Sequence, residues 1–242
     1  MKREDDTMPY PTVHDQFEVE GEFYQAVRNE TVYPCRRLAV IKTRNYPLKE
    51  QYDALLVMAN PGSCQPLNPS YQNPTIENVD TVAPLIKAKT DQTQHQIIKL
   101  MNQENWNQVA ICNLSDLREG NMKNFRDLLR SCEAAFPQHS IFSNDRKQEL
   151  KSLVKQNKGP VILAWGTDTC VSRLAKTALE FFHGNKINPL GWKHNKGPFY
   201  YHASPRLHSM KTEWLKKMGE QVKSWSGNDR ELMDETMPLI TN

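Results

Sequence analysis

Four short apolar runs, each followed at once by polar residues, constrain the fold of this chain more than any other feature. The runs are rich in Val, Ile, Leu and aromatic residues, which is typical of buried strands. Helical spacing of apolar residues recurs between and after them. Strands that alternate with helices predict an α/β fold, here a three-layer α/β/α domain with a mostly parallel central sheet. The predicted strands cover residues 52–59, 108–112, 160–165 and 198–201, and the predicted helices cover 90–105, 122–136, 144–156, 168–182 and 209–225.

Polar residues cluster at the end of each predicted strand. In open α/β sheets, ligands bind outside the carboxyl ends of the strands. We therefore expect the first residues of the four clusters, Asn60, Asn113, Gly166 and His202, to face a common cavity at that edge. The clusters are Asn60-Pro61-Gly62-Ser63, Asn113-Leu114-Ser115-Asp116, Gly166-Thr167-Asp168 and His202-Ala203-Ser204-Pro205.

The chain of 242 residues shows no clean division into halves and no internal repeat, so we expect a single folded domain. We assign residues 31–225 to that domain. Residues 1–30 are predicted to be an acidic N-terminal extension that packs on or flanks it, and residues 226–242 to be an acidic tail.

The net charge of +3 is unevenly distributed along the chain. Residues 1–22 carry a net charge of −5 and residues 229–242 carry −3, so the residues between them carry +11. A basic body suits a polyanionic partner such as nucleic acid, although a solvated surface with acidic tails gives the same count.

The apolar runs are too short to span a bilayer, and the N-terminus lacks the apolar core of a signal peptide. A cytoplasmic protein without membrane partners is expected. Five cysteines lie far apart, without the close Cys/His spacing of zinc or iron–sulfur sites. We expect them to be isolated reduced thiols, and we expect no metal and no other cofactor.

The order of the four motifs resembles that of the uracil-DNA glycosylase superfamily. The resemblance rests on Asn60-Pro61-Gly62 after a strand, a strand ending in Asn113, a strand ending in Trp165-Gly166, and a closing His202-Ala203-Ser204-Pro205. It runs over residues 52–217. A closer similarity is to an uncharacterised domain family with Asn-Pro-Gly or Asn-Pro-Ser, then Pro-Thr-Ile (residues 74–76), an Asn-Leu strand end and an Ala-Trp-Gly strand.

The resemblance implies a DNA glycosylase that flips a uracil or modified pyrimidine base out of DNA and hydrolyses its N-glycosidic bond. Its setting would be base-excision repair or defence against viruses with modified DNA. His202 would donate a hydrogen bond to the base carbonyl as charge develops, Asn60 would hold the attacking water, and Asn113 would bind the base edge bidentately. Simpler roles are the alternatives: Asn60 as a turn former before Pro61, and His202 as a histidine bonded to backbone.

The resemblance also implies a wider set of contacts with the base and with DNA. Residues 64–89 are predicted to form a long loop or lid. Tyr71 in this segment is the candidate for stacking on the base, although an ordinary loop aromatic fits equally well. Further expected base contacts are Pro61, Gly62, Ser63 and Gly166, and the expected DNA contacts are Ser204, Arg206, Leu207, Ser209 and Lys211.

Two other functions remain open at this point. A non-catalytic module could bind nucleic acid or a nucleotide in the same pocket, and a hydrolase could act on free nucleosides. The expected partner under the leading hypothesis is DNA, bound by a monomer with the flipped base in the pocket.

Overall fold

The computed structural model describes residues 13–78 and 80–225. These residues form one mixed sheet with helices on both of its faces. The strands are β1 (Phe17–Arg28), β2 (Thr31–Thr43), β3 (Ala54–Met58), β4 (Leu85–Lys87), β5 (Gln108–Asn113) and β6 (Val161–Leu163). The helices are α1 (Gln92–Glu104), α2 (Met122–Ala135), α3 (Lys147–Gln156), α4 (Ser172–Gly184) and α5 (His208–Ser224).

The strand order is β4-β1-β2-β5-β3-β6. Strand β3 pairs in parallel with β5 and with β6, whereas the β1–β2, β1–β4 and β2–β5 pairs are antiparallel. The α/β class is confirmed, but the prediction of a mostly parallel sheet is wrong. Among the six strands described, parallel pairing is confined to β5, β3 and β6, which lead into the predicted site.

A long N-terminal hairpin accounts for most of the antiparallel pairing. Its two strands meet at a two-residue turn, Asn29-Glu30, where both residues have positive φ angles (48° and 64°), as tight hairpin turns require. Residues 17–28, assigned above to an acidic extension, thus form β1 of the sheet. Two acids of β1 form ion pairs with a lysine of β2, because Lys42 Nζ lies 3.1 Å from Glu18 and 3.3 Å from Glu20.

The remaining predicted elements are close to the observed ones, with one exception. Residues 198–201 form no strand and make only isolated bridges from Tyr200 to Gly166 and to Lys193. Short 3-10 turns, Asn144–Arg146 and Thr169–Val171, precede α3 and α4, so these helices begin later than predicted. The C-terminal tail, residues 226–242, lies outside the described residues.

Alternate residues of the central strands supply two separate cores. Leu55 and Val57 of β3 belong to a core covered by α2, α3 and α4, whereas Leu56 and Met58 belong to a core covered by α1 and α5. This alternation is the period-2 pattern of a strand buried on both faces. The described residues therefore form three layers. None of the described helices is long and apolar enough to cross a bilayer.

Candidate functional site

A cavity of about 800 Å³ lies at the carboxyl ends of the three parallel strands. The segments that follow β3, β5 and β6 contribute to its wall, together with the start of α1. The structure brings Asn60, Asn113, Gly166 and His202 to this wall, as the strand-end argument predicts. Their convergence follows from the sheet, because parallel strands end at a common edge.

Strand register places Asn60 two residues beyond the partner of Asn113. Met58, the last residue of β3, pairs with Asn113, the last residue of β5. Beyond this pair the two backbones remain joined, since the Leu114 amide donates to the Met58 carbonyl at 2.8 Å. Asn60 therefore begins the loop that leaves the sheet next to Asn113.

The side chain of Asn60 is held by backbone carbonyls. Its Nδ2 donates to the Glu119 carbonyl at 2.7 Å and to the Leu117 carbonyl at 3.3 Å. Both hydrogens of the amide nitrogen are thus used, and Oδ1 has no hydrogen-bond partner within the described chain. The group that Asn60 offers to a ligand or a water is therefore an acceptor.

Asn113 is fully buried, and neither atom of its side-chain amide has a hydrogen-bond partner among the described residues. Buried amides in folded proteins are nearly always bonded, because leaving one unpaired costs about 1–3 kcal/mol. The residue lines the cavity, so its unpaired amide lies next to the space that a ligand would occupy.

His202 is positioned by the chain segment that follows β6. The Gly166 amide donates to the Tyr200 carbonyl at 2.8 Å, which joins the strand end to the approach to His202. Gly166 has a φ angle of +84°, a conformation that residues with a Cβ atom rarely adopt. A glycine at this position thus lets the strand turn beside the histidine.

The protonation state of His202 follows from its environment. Burial lowers the pKa of the imidazole below its usual range, so the ring is neutral at pH 7. Its Nδ1 accepts a hydrogen bond from the Ser204 amide at 3.1 Å. The single proton of the neutral ring is therefore on Nε2, which makes Nε2 a hydrogen-bond donor.

Carboxylates in the cavity wall are committed to local contacts. Asp91 caps α1 and accepts from the amides of Thr93 and Gln94, both at 2.9 Å. Glu119 accepts from the Asn121 amide at 2.7 Å, and Asp168 binds Arg126 and the Cys170 amide. Sequence reasoning did not select Asp91 or Glu119, whose signals are those of ordinary caps and turns.

Arg36 is a cavity residue that sequence reasoning missed. It lies on β2, far from the four motifs, and it is 3% exposed. Its Nε has no hydrogen-bond partner in the described part of the molecule. The sequence signal was a pair of adjacent arginines inside an apolar strand, which places one arginine on each face of the sheet.

The other predicted contacts divide into two groups. Pro61, Gly62, Ser63, Ser204 and Arg206 line the cavity. Four residues do not line it: Tyr71, Leu207, Ser209 and Lys211.

The residues outside the cavity wall have different surroundings. Tyr71 is half-buried against the core under α1 and α5, so it offers no stacking face to the cavity. Leu207 and Ser209 are exposed at the start of α5, where contact with DNA remains a prediction. Lys211 donates to the Gln92 side chain at 3.3 Å.

The predicted lid, residues 64–89, does not cover the cavity. The Gln25 amide donates to the Pro74 carbonyl at 2.9 Å, and the Ile76 amide donates to the Gln25 carbonyl at 2.8 Å, which fix the segment to β1. Its last part contains β4, an edge strand of the sheet. No residue of 64–78 or 80–89 is among those that line the cavity.

No group of three or more His, Cys, Asp or Glu side chains in residues 13–78 and 80–225 is arranged to hold a metal ion. The five cysteines are free thiols.

A protein family described as "Protein of unknown function (DUF1643)" matches residues 83–202, just under half of the chain. The match includes Asn113, Gly166 and His202 and stops short of Asn60. No curated protein matches the sequence. A solved structure of a feruloyl esterase module from Clostridium thermocellum, a serine-to-alanine mutant complexed with sinapinate, is 10% identical over 67% of this chain and 50% of that one. This chain thus spans half the length of that structure, and the TM-score of 0.25 is too low to support an argument.

Proposed function

We propose that this protein is a DNA glycosylase that takes a flipped-out uracil or modified pyrimidine base into the cavity and hydrolyses its N-glycosidic bond. The observation that carries the proposal is the unpaired amide of Asn113 in the cavity wall. An amide offers one donor and one acceptor side by side, and the edge of a pyrimidine base presents the complementary pair. Asn113 would bind this edge before any bond breaks.

His202 has the state needed to stabilise the departing base. When the glycosidic bond breaks, its electron pair goes to the base, and negative charge develops on the base carbonyl oxygen. A neutral imidazole with its proton on Nε2 can donate a hydrogen bond to that oxygen, and its protonation state does not have to change first. This contact strengthens in the transition state, which is the condition for lowering the barrier.

Asn60 supplies the acceptor for the attacking water. Its Oδ1 would accept one hydrogen of the water, whose oxygen bonds to C1′ of the deoxyribose. One water proton leaves to solvent, and the base takes up a proton to become neutral. Because an amide cannot take up that proton itself, catalysis would depend mainly on stabilisation of the leaving base.

Contacts with DNA around the cavity complete the proposal. Ser63 and Arg206 are exposed and Ser204 is half-buried in its wall, and the central part of the chain carries a net charge of +11. Such groups bind phosphates and keep the DNA in register. Leu207, exposed beside them, would occupy the space that the flipped base leaves. The three layers and the parallel strands β5, β3 and β6 are compatible with a uracil-DNA glycosylase-like fold.

The experiment is base release from defined oligonucleotides. The protein is incubated with single- and double-stranded DNA that carries uracil, a thymine mismatch, or hydroxymethylated or glucosylated cytosine. Free base is then measured by mass spectrometry, and abasic sites are measured by alkaline cleavage. We expect one of these bases to be released together with an equal amount of abasic DNA. Absence of both products for every substrate would contradict the proposal.

A second function is a module that binds nucleic acid or a nucleotide without cleaving it. The observation that favours it is that each carboxylate of the described cavity wall already accepts a local hydrogen bond, at Asp91, Glu119 and Asp168. Such a module would retard DNA in a gel without forming alkali-labile sites. A hydrolase of free nucleosides would instead release base from deoxyuridine without the salt-dependent affinity for DNA.

A further inference from the structure

The buried Arg36 lies on the same side of the sheet as the cavity. Its partner across the hairpin is Phe23, and its backbone amide donates to the Asp116 carbonyl at 2.9 Å, three residues beyond Asn113. A Cβ atom at position 21 would lie 2.6 Å from the Phe23 ring and 3.3 Å from Arg36 Cδ, so Gly21 leaves room for the ring and for the arginine stem. The guanidinium is thus set into the cavity wall by the sheet itself.

No carboxylate of the described chain lies within ion-pair distance of Arg36, and its Nε has no hydrogen-bond partner there. Burying a charge without a counterion is costly, and buried arginines are normally paired. The cost is removed when a ligand brings the opposite charge. An unpaired arginine that is 97% buried in the wall of a cavity therefore indicates a binding site for an anion.

A second arginine adds to the positive charge. Arg118 is half-buried above the Phe23 ring, 5.1 Å from its centroid, and its Nε donates to the Cys64 carbonyl at 2.8 Å. Burial and the nearby charge of Arg36 lower the pKa of Arg118 below its usual range. The two like charges therefore repel each other, and neither guanidinium has an ion pair among the described residues.

We propose that Arg36 forms an oxyanion subsite in the cavity, which binds a phosphate group carried by the ligand. A guanidinium presents its donors in a planar fork that matches the oxygens of phosphate. The volume of about 800 Å³ exceeds what one pyrimidine ring fills, so a ligand has room to reach both Asn113 and Arg36. The phosphate is either the monoester of a free nucleotide or a diester of the DNA backbone. The subsite is defined by binding and does not depend on bond cleavage.

Inorganic phosphate is the first probe. The melting temperature of the wild-type protein is measured in increasing phosphate, with chloride at equal ionic strength as the reference. We expect a saturable rise in phosphate only, because a ligand that binds the folded state stabilises it. Arg36→Met should abolish this rise and should melt higher than wild type without phosphate, because it removes an unpaired buried charge. Arg130→Met, an exposed arginine on α2, is the matched control and should keep the rise.

The source of the phosphate is found with three further probes: deoxyuridine, deoxyuridine 5′-monophosphate, and a uracil-containing oligonucleotide. The subsite predicts that the phosphorylated probe that reaches Arg36 binds roughly 10- to 100-fold more tightly to wild type than to Arg36→Met, the range for charge-assisted hydrogen bonds. Deoxyuridine should bind both proteins equally. A gain with the monophosphate identifies a nucleotide, and a gain with the oligonucleotide alone identifies the DNA backbone.

The wild-type titration decides the proposal even if Arg36→Met fails to fold. A melting temperature that responds equally to phosphate and chloride would overturn the subsite. Equal affinity of wild type and a folded Arg36→Met for all phosphorylated probes would overturn it as well. Base release without an Arg36 effect would leave the proposed glycosylase standing, so the two proposals fail separately.

Discussion

Arg36 and Arg37 are adjacent on β2 and equally buried, yet they have opposite surroundings. Arg37 Nε has no hydrogen-bond partner among the described residues either, but it lies 3.4 Å from Glu22 Oε1 and 3.8 Å from Glu149 Oε1, on the face covered by α2, α3 and α4. Arg36 lies on the cavity face without any carboxylate within ion-pair distance in the described chain. The difference separates charges that are paired inside the fold from charges that are left for a ligand.

The two faces of the sheet repeat this contrast. On the α2–α4 face, Asp116 Oδ2 accepts from Tyr24 Oη at 2.8 Å and from Arg146 Nη1 at 2.7 Å, so this buried carboxylate has a charged partner although its Oδ1 has none. On the cavity face, the amide of Asn113 is buried and unpaired. A protein gives up stability at a site when the groups there serve binding. We therefore expect substitutions on the two faces to have opposite effects on stability.

The largest effect should come from breaking a buried ion pair on the face covered by α2, α3 and α4. Arg146→Met leaves the buried carboxylate of Asp116 without its charged partner, 2.7 Å away, and should lower the free energy of unfolding by about 3–5 kcal/mol. Urea denaturation of the variant and the wild type measures the change. Arg130→Met is the control, because its ion pair with Asp127 is exposed and such pairs contribute at most about 1 kcal/mol. Equal effects of the two substitutions would mean that the buried pair stabilises nothing.

Substitutions on the cavity face should change base release and DNA binding. His202→Ala should lower base release by roughly 10²- to 10³-fold, the scale for losing one donor to a developing anion, with little change in DNA binding. Asn113→Ala should weaken both binding and rate, because its amide pairs with the base before cleavage. Single-turnover cleavage and equilibrium binding on one oligonucleotide separate the two roles. His183→Ala, an exposed histidine on α4, should match wild type. Wild-type cleavage by His202→Ala would remove His202 from the mechanism.

A smaller change in the free energy of unfolding is expected from the pH dependence of Glu22, on the face covered by α2, α3 and α4. Burial raises the pKa of Glu22 to about 7 from 4.5. Between these values the folded state holds a proton that the unfolded state has lost, so the free energy of unfolding falls as the pH rises through this window. Glu22→Gln does not titrate, and its unfolding free energy should fall less, by about 1–3 kcal/mol. Urea denaturation at pH 4.5, 5.5, 6.5 and 7.5 tests this. Parallel pH profiles for the two proteins would show that Glu22 does not cause the fall.

The site was more predictable from the sequence than the sheet. Asn60, Asn113, Gly166 and His202 could be selected because apolar runs mark the strands and parallel strands share a carboxyl edge. The pairing of β2 with β5 could not, since no turn joins these strands and nothing local records the direction of the pair. The acids of residues 17–28 give this segment the charge of an extension, although Glu18 and Glu20 alternate with buried residues at strand spacing.

Contacts between residues far apart in sequence explain why the sequence does not predict all of the cavity residues. Arg36 reaches the cavity from a hairpin that precedes all four motifs, so no motif spacing could include it. Tyr71 follows Asn60 closely in sequence, but its segment is fixed along β1 and does not cover the cavity. Proximity in sequence was a poor guide to both residues.

Unpaired groups on the cavity face should lower stability and serve binding, and Asn113→Leu measures both effects at one residue. Leucine has a similar size and no polar atoms, so the free energy of unfolding should rise by about 1–2 kcal/mol while binding of a uracil-containing oligonucleotide is lost. The matched control is Asn157→Leu. That buried amide donates to the Gly159 carbonyl at 2.7 Å, so its removal should lower the free energy of unfolding. A fall for Asn113→Leu as large as that for Asn157→Leu, with oligonucleotide binding unchanged, would show that the amide of Asn113 serves the fold and not a ligand.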